Sequence, residues 1–181
     1  MRPMDVLSHF WSPLCAVGSH GPTGPNAQIC VSVFGASIVP DQPRLLVNLS
    51  QSNYTCELVR ESGTVAITLL SRDQLPLLSQ LGLQSGRDTD KLAGLDCALT
   101  DAKDPVFRGG AGFVAGDVIE SFELGDATAY LVAVRERDTA EGVAPLRWHD
   151  AREIVDAQFL ERWQAKSEQE QAIARKLMRW E

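Results

Sequence analysis

The sequence predicts a mainly β protein: an antiparallel barrel with short peripheral helices and a long helical tail at the C-terminus. Three observations predict it. At least six runs rich in β-branched and apolar residues recur along the chain, separated by Gly, Pro, Ser and Asn punctuation. The helical patterns between them are short, as antiparallel strands joined by turns allow. No Gly-x-Gly-x-x-Gly follows a strand, so a parallel, dinucleotide-binding unit has no support.

The elements follow in order. Residues 1–13 mix apolar and polar types without a period, and Phe10 and Trp11 are expected to pack against the domain. Leu14 to Val17 is a short strand. Gly18 to Pro25 reads as a loop by composition, and His20 within it is either solvated or a ligand contact. Ala27 to Val33 is a strand, and Arg44 to Leu49 another, opened by Pro40 and Pro43. Ser50, Ser52, Asn53 and Thr55 then crowd the start of a short helix through Leu58 and Val59. Thr64 to Leu70 is a further strand. Ser71 to Gln74 has the form of a capping box for a helix through about Leu81.

Gly82 to Asp90 is a polar, glycine-containing loop, and Cys97 to Phe107 has little pattern. Ala111 to Leu124 is long enough for a strand with a bulge at Gly116. Gly125-Asp126 and the run Thr128 to Val134 complete a hairpin signal, after which the charged residues Arg135 to Glu141 are expected to leave the core. Asp150 with Glu153 resembles an Asp-headed capping box that begins a helical tail to Glu181. Val155, Phe159 and Trp163 share one face of that tail. Gln164 to Gln171 is almost wholly polar, so the tail either crosses solvent or breaks there. This gives a barrel domain over 1–150 and a helical extension over 151–181, packed on its own barrel or on a partner subunit.

Composition narrows the chemistry. A chain of 181 residues fits one domain with a real core. The net charge of −7 argues against nucleic acid as a partner. No apolar run approaches the roughly 20 residues of a membrane helix. The N-terminal residues lack a secretory apolar region, so a cytoplasmic location is expected. Cys15, Cys30, Cys56 and Cys97 lie far apart and read as small packing residues, not as ligands of a metal. There is no P-loop, no Gly-x-Ser-x-Gly and no paired-His motif, and no motif surrounds any of the three histidines. That pattern is expected where a cofactor supplies the reactivity.

The stretch from Pro25 to Gly63 is where a ligand site is expected. A strand that delivers hydroxyls and amides to a helix start makes an anion site, because the first helical N–H groups lack partners and the dipole favours negative charge. Helix capping alone is the competing account of the same serines.

The order of elements in this stretch resembles the flavin reductase-like, FMN-binding split-barrel family. The resemblance rests on Asn26, Ser37, the Pro40 to Pro43 link, Leu45 to Leu49, Ser52 with Thr55, and Glu61-Ser62-Gly63. It continues through Ser85-Gly86 and Asp90-Lys91 to about Trp148. It implies a split β-barrel, FMN as cofactor with FAD as the alternative flavin, and NAD(P)H as co-substrate that passes hydride to flavin. The tail ends in Leu177, Met178 and Trp180, a costly set to leave in water, so a homodimer is expected in which strands and this tail bury apolar surface between subunits, with the flavin near the interface. The resemblance leaves room for an oxygenase partner. The flavin contacts it implies are Asn26, Gln28, Ile29, Cys30 and Val31 on the strand, with Asn48, Ser50, Ser52, Asn53 and Thr55 at the next strand and helix start. Ser85 and Lys91 join them, and the same loop brings Arg87 or Lys91 near a phosphate if it is not merely solvated.

Two departures stand out. Ile29 and Val31 occupy positions where members often carry Thr and Ser, so contacts there fall to the backbone. The hairpin turn reads Gly125-Asp126-Ala127, where reductases of the family often carry Gly-Asp-His. Losing that imidazole leaves Asp126 and His20 as the candidate catalytic residues, and keeps open a flavin-binding or flavin-storing barrel without reductase activity.

Overall fold

A computed structural model describes residues 6–11 and 13–180. The reading of residues 1–5 as lacking an export signal lies outside them, as does the tail's last residue, Glu181. Among the described residues, no helix is long and apolar enough to cross a membrane.

Seven strands form one curled, open sheet in the order β2-β1-β5-β8-β9-β4-β3, every neighbouring pair antiparallel. They are β1 (Cys15–Gly21), β2 (Gly24–Cys30), β3 (Val33–Gly35), β4 (Arg44–Ser50), β5 (Thr64–Leu69), β8 (Gly112–Glu123) and β9 (Ala127–Thr139). Helix α1 (Tyr54–Ser62) packs against β1 and β2. Alternation along the strands divides the core in two. Val17, Val47, Leu49, Cys56, Val65, Ile67, Tyr130 and Val132 fill the curl, with α1 closing it. On the outer face, Leu14, Ala16, Leu70 and Phe107 pack against helices α2 (Leu77–Gly82), α3 (Trp148–Ile154) and the base of α4 (Ala157–Leu177). Cys15, Cys30 and Cys56 are free and buried, and burial pushes the Cys30 thiol up to about 11. They are packing residues, as the sequence leads one to expect.

Several expectations hold in detail. The register of β8 on β9 slips between Ala115 and Gly116, which is the bulge expected at Gly116. Gly125 turns the β8–β9 hairpin with φ +99°, a backbone region that L side chains rarely adopt. Arg135 to Thr139 stays in strand β9 but is exposed, so the charged run does leave the core.

Other expectations are corrected. Gly18 to Pro25 is not a loop. It extends β1 and opens β2, joined by a two-residue turn at Pro22-Thr23. Gly18 is required by contact: a Cβ there would lie 2.5 Å from Cγ of Pro105. The helix after Ser71 is split into a short 3-10 turn, Arg72–Gln74, and α2, because Pro76 has no N–H to continue the ladder. The expected capping box is present on the 3-10 turn, with Ser71 N–H donating to Oε1 of Gln74 at 3.1 Å. Cys97 to Phe107 contains a small second sheet, β6 (Cys97–Leu99) on β7 (Pro105–Phe107). Phe10 and Trp11 stay largely exposed instead of packing on the domain. Asp150 does not cap the tail. Helix α3 already starts at Trp148, and the cap is Asp156, whose carboxylate accepts the Phe159 N–H at 2.6 Å. The tail therefore breaks at Val155-Asp156, and its polar stretch is continuous helix.

Candidate functional site

A cavity of about 370 Å³ opens along the free edge of β2, between the N-terminus of α1, the C-terminal end of α2, residues 84–87, Lys91 and the length of α4. Its volume lies at the lower end of small-molecule sites. Among the described residues β2 ends the sheet, and one side of its backbone has no strand partner. Pro25 has no N–H, and the hairpin register pairs it with His20 at a position that does not require one. Alternation from Pro25 turns the N–H and C=O of Ala27 and Ile29 toward the free edge. Ile29 and Gln28 line the cavity. Gln28 is only 8% exposed, and its Oε1 is buried without a hydrogen-bond partner. A buried acceptor left in that state costs about 1–3 kcal/mol, so it is the kind of atom a ligand donor satisfies.

The second wall is the start of α1. Asn53 is its N-cap, and the Asn53 side chain makes no capping bond. The hydroxyls of Ser50 and Ser52 bond to each other at 2.9 Å. The serine cluster is therefore not consumed in capping; Cys56 N–H closes the first turn on the Asn53 carbonyl at 3.0 Å, and the Tyr54 and Thr55 amides precede the helical ladder. Ser52, Asn53, Tyr54 and Thr55 all line the cavity. Arg87 is tied to this end: it donates to the Ser52 carbonyl at 2.9 Å, pairs with Glu57, and lies over the Tyr54 ring at 5.4 Å.

Lys91 supplies the charge. Only 5% of it is exposed, and its ammonium donates to the carbonyl of Leu81 at 3.0 Å. Gln80 fixes the segment by donating to the carbonyls of Lys91 and Ala93. Burial first, and the charge of Lys166 second, lower the Lys91 pKa to about 8. Across the cavity, α4 contributes Trp163, Lys166, Ser167, Glu170 and Ile173. These lie at helical spacing on one face. Lys166 and Glu170 form an ion pair, and Trp163 stacks with Trp148 and Phe159 at centroid distances of 4.9 and 5.5 Å.

The structure brings together Gln28, Ile29, Ser52, Asn53, Thr55, Ser85 and Lys91 of the residues expected from sequence. It places the others elsewhere. Asn26 stands behind the wall, its Nδ2 donating to Thr55 Oγ1 at 2.8 Å. Cys30 belongs to the inner core, and Val31 packs on the outer one. Asn48 and Ser50 sit on β4, with Asn48 Oδ1 buried and unpartnered. His20 is bound to the fully buried Asp104, Nδ1 to Oδ1 at 2.7 Å, and does not line the cavity. Asp126 is in the β8–β9 turn, where its carbonyl accepts the Gln51 N–H at 2.9 Å. The α4 residues were missed because a polar helix face reads as a solvated one. The available signal was the phase: Lys166 with Ser167, Glu170 and Ile173 continue the stripe of Phe159 and Trp163.

Comparison with known proteins bears on this site. Residues 7–154 match the family model described as a flavin reductase like domain. A flavin reductase of Pseudomonas putida is 25% identical over 131 residues, covering 72% of this chain and 75% of that protein. The high molecular weight rubredoxin of Moorella thermoacetica is 34% identical over 77 residues, 42% of this chain. That match takes in only 33% of the rubredoxin's length. Among solved structures, the Streptomyces globisporus C-1027 NADH:FAD oxidoreductase SgcE6 superposes with a TM-score of 0.70 at 18% identity, covering 77% of this chain and 82% of that one. The seven-stranded, open sheet described above is thus the split β-barrel.

Proposed function

This chain belongs to the flavin reductase-like family, and we propose that it binds FMN in the cavity beside β2 and passes hydride from NAD(P)H to flavin. The observation that carries this reading is the convergence on one cavity of Gln28, whose Oε1 is buried without a partner, the start of α1, and the buried ammonium of Lys91 held at the C-terminal end of α2. Flavin mononucleotide has the matching two ends: a ring edge with an N–H between two carbonyls, and a phosphate dianion. Gln28 Oε1 and the outward backbone of Ile29 suit the ring edge. Lys91, Arg87, Ser52, Ser85 and the first amides of α1 suit the phosphate. Asn26 acts as a support for Thr55.

Flavin held by Gln28, Ile29, Ser52, Ser85 and Lys91 would supply the redox chemistry, accepting hydride from a reduced nicotinamide with one proton from solvent. The protein's part is to bind, orient and shield. Ala127 is 8% exposed at the start of β9, opposite Ser50, and offers no donor at the turn. That observation favours a second reading, a flavin-binding barrel without reductase activity. An anaerobic titration separates the two. We expect the purified protein to bind FMN, and NADH or NADPH to bleach the visible absorbance of the bound flavin. A bound flavin that neither nicotinamide bleaches would leave the binding protein. Free flavin or an oxygenase is the acceptor this reading implies.

We propose further that the protein is a homodimer. Phe34, Ile38 and Val39 are exposed around β3, with Ile38 99% accessible, beside an apolar groove lined by Val33, Leu45, Ile67, Leu69 and Phe113. Such a surface is costly in water. Sedimentation is expected to give about twice the chain mass of 19.8 kDa at micromolar concentration. A single species at the chain mass would contradict it.

A further inference from the structure

The roof over the cavity lies beyond the family domain. The family match ends at residue 154, whereas α4 begins at Ala157. The helix is held at both ends by its own chain. At its base Phe159 is buried, and Trp163 presses on Gly82, where an added Cβ would be 2.6 Å from Cζ3 of the indole. At its far end Gly125 packs against it, so that a Cβ there would be 2.3 Å from the Leu177 carbonyl. The Arg179 N–H also reaches the Leu124 carbonyl at 3.5 Å. Between these anchors the underside of α4 is polar, and it faces Lys91 and the start of α1 across the cavity.

We infer that α4 makes this a mononucleotide pocket: Lys166, Ser167 and Glu170 close it beyond the phosphate, so that FMN is accepted and flavins elongated at the phosphate, FAD foremost, are disfavoured. The inference rests on the flavin reading above. Two physical arguments carry it. FAD is FMN with adenosine monophosphate attached at the phosphate, so its extra bulk begins at the end of the ligand that would lie among the start of α1, residues 85–87 and α4. A cavity of about 370 Å³ has little room for that addition. Charge acts in the same direction. The phosphate monoester of FMN concentrates about −1.5 to −2 charges on one phosphorus at neutral pH, whereas in FAD that phosphorus carries only about −1 and the second charge lies one phosphate further out. Lys91 on the floor suits the dianion; on the roof Lys166 is ion-paired with Glu170, and its charge still acts on Lys91.

The test is equilibrium binding of FMN, FAD and riboflavin, read by quenching of flavin fluorescence. The wild type is expected to bind FMN at least about tenfold tighter than FAD. A chain ending after Gln164 keeps the Phe159 and Trp163 anchors and loses the roof. It is expected to bind the two flavins within about twofold of each other. The full-length K166A/E170A double variant, which thins the roof without removing it, is expected to narrow the preference by at least about threefold, and it decides the matter if the shortened chain does not fold. Equal affinities for FMN and FAD in the wild type, or a preference unchanged in these variants, would overturn this inference alone. Failure of all three flavins to bind would overturn the flavin reading and this inference with it.

Discussion

Lys91→Met is expected to raise the dissociation constant for FMN by about 30- to 150-fold, the equivalent of about 2–3 kcal/mol for a lost hydrogen bond to a charged group. Methionine keeps the buried aliphatic stem and removes only the ammonium. The native chain already holds that ammonium at a cost. Desolvation, with Lys166 second, has moved the Lys91 pKa from 10.5 down to about 8. The folded pKa lies below the unfolded one, so the penalty on stability is fully present below pH 8 and is relieved as pH rises from 8 to 10.5. Binding has the opposite sign. A phosphate favours the protonated amine, so affinity is greatest while Lys91 is charged and falls by up to about tenfold per pH unit above its pKa. On the acid side, affinity falls as the phosphate gains its second proton near about pH 6. FMN titrations across pH 5.5 to 9.5, an interval of about four units, test this directly. The alkaline limb is expected in the wild type and absent in Lys91→Met. A Lys91→Met protein that binds FMN as tightly as the wild type would remove Lys91 from the site.

The parts of this fold that were legible in the sequence are those whose cause is local. The strands beginning at Arg44 and Thr64 announce themselves because β-branched and apolar residues fill a half-buried pleat. Gly116 and Gly125 were legible because a bulge and a tight turn need little more than glycine in strand context. The serines before α1 and the Ser85 to Lys91 loop could be singled out for the same reason: each is a contiguous run, and Ser52, Ser85 and Lys91 line the cavity. What stayed hidden has a distant cause. Gly18 looks like a loop residue but is a glycine because Pro105 of β7 crosses it. Asn26 is in the right strand, yet its amide faces Thr55 and not the cavity. The underside of α4 is the clearest case. Hydrophobic periodicity distinguishes apolar from polar and cannot distinguish water from a polar pocket. A helix face made of Lys166, Ser167 and Glu170 therefore reads as exposed until the fold sets it over Lys91.

Asn26→Ala is expected to lower both stability and FMN affinity, although Asn26 does not line the cavity. Its amide is 4% exposed and donates to the hydroxyl of Thr55, itself 1% exposed, at 2.8 Å. On its other side the amide packs on Gly86, where a Cβ would fall 2.2 Å from Oδ1 of Asn26. One side chain thus latches β2, the first turn of α1 and the turn at Ser85–Arg87, the three elements that frame this end of the cavity. Removing it leaves the Thr55 hydroxyl without its donor and opens a void, at a cost of about 1–3 kcal/mol. For a chain of this length that corresponds to a fall in Tm of about 2–4 °C per kcal/mol, which calorimetry resolves. FMN affinity falls with it, because Ser52, Ser85 and Arg87 lose the common support that sets their spacing. Gly86→Ala attacks the same latch from the opposite side by overpacking, and is expected to show both effects. If Asn26→Ala and Gly86→Ala each lower Tm but leave the FMN dissociation constant at the wild-type value, the latch is structural only, and the phosphate end does not depend on it.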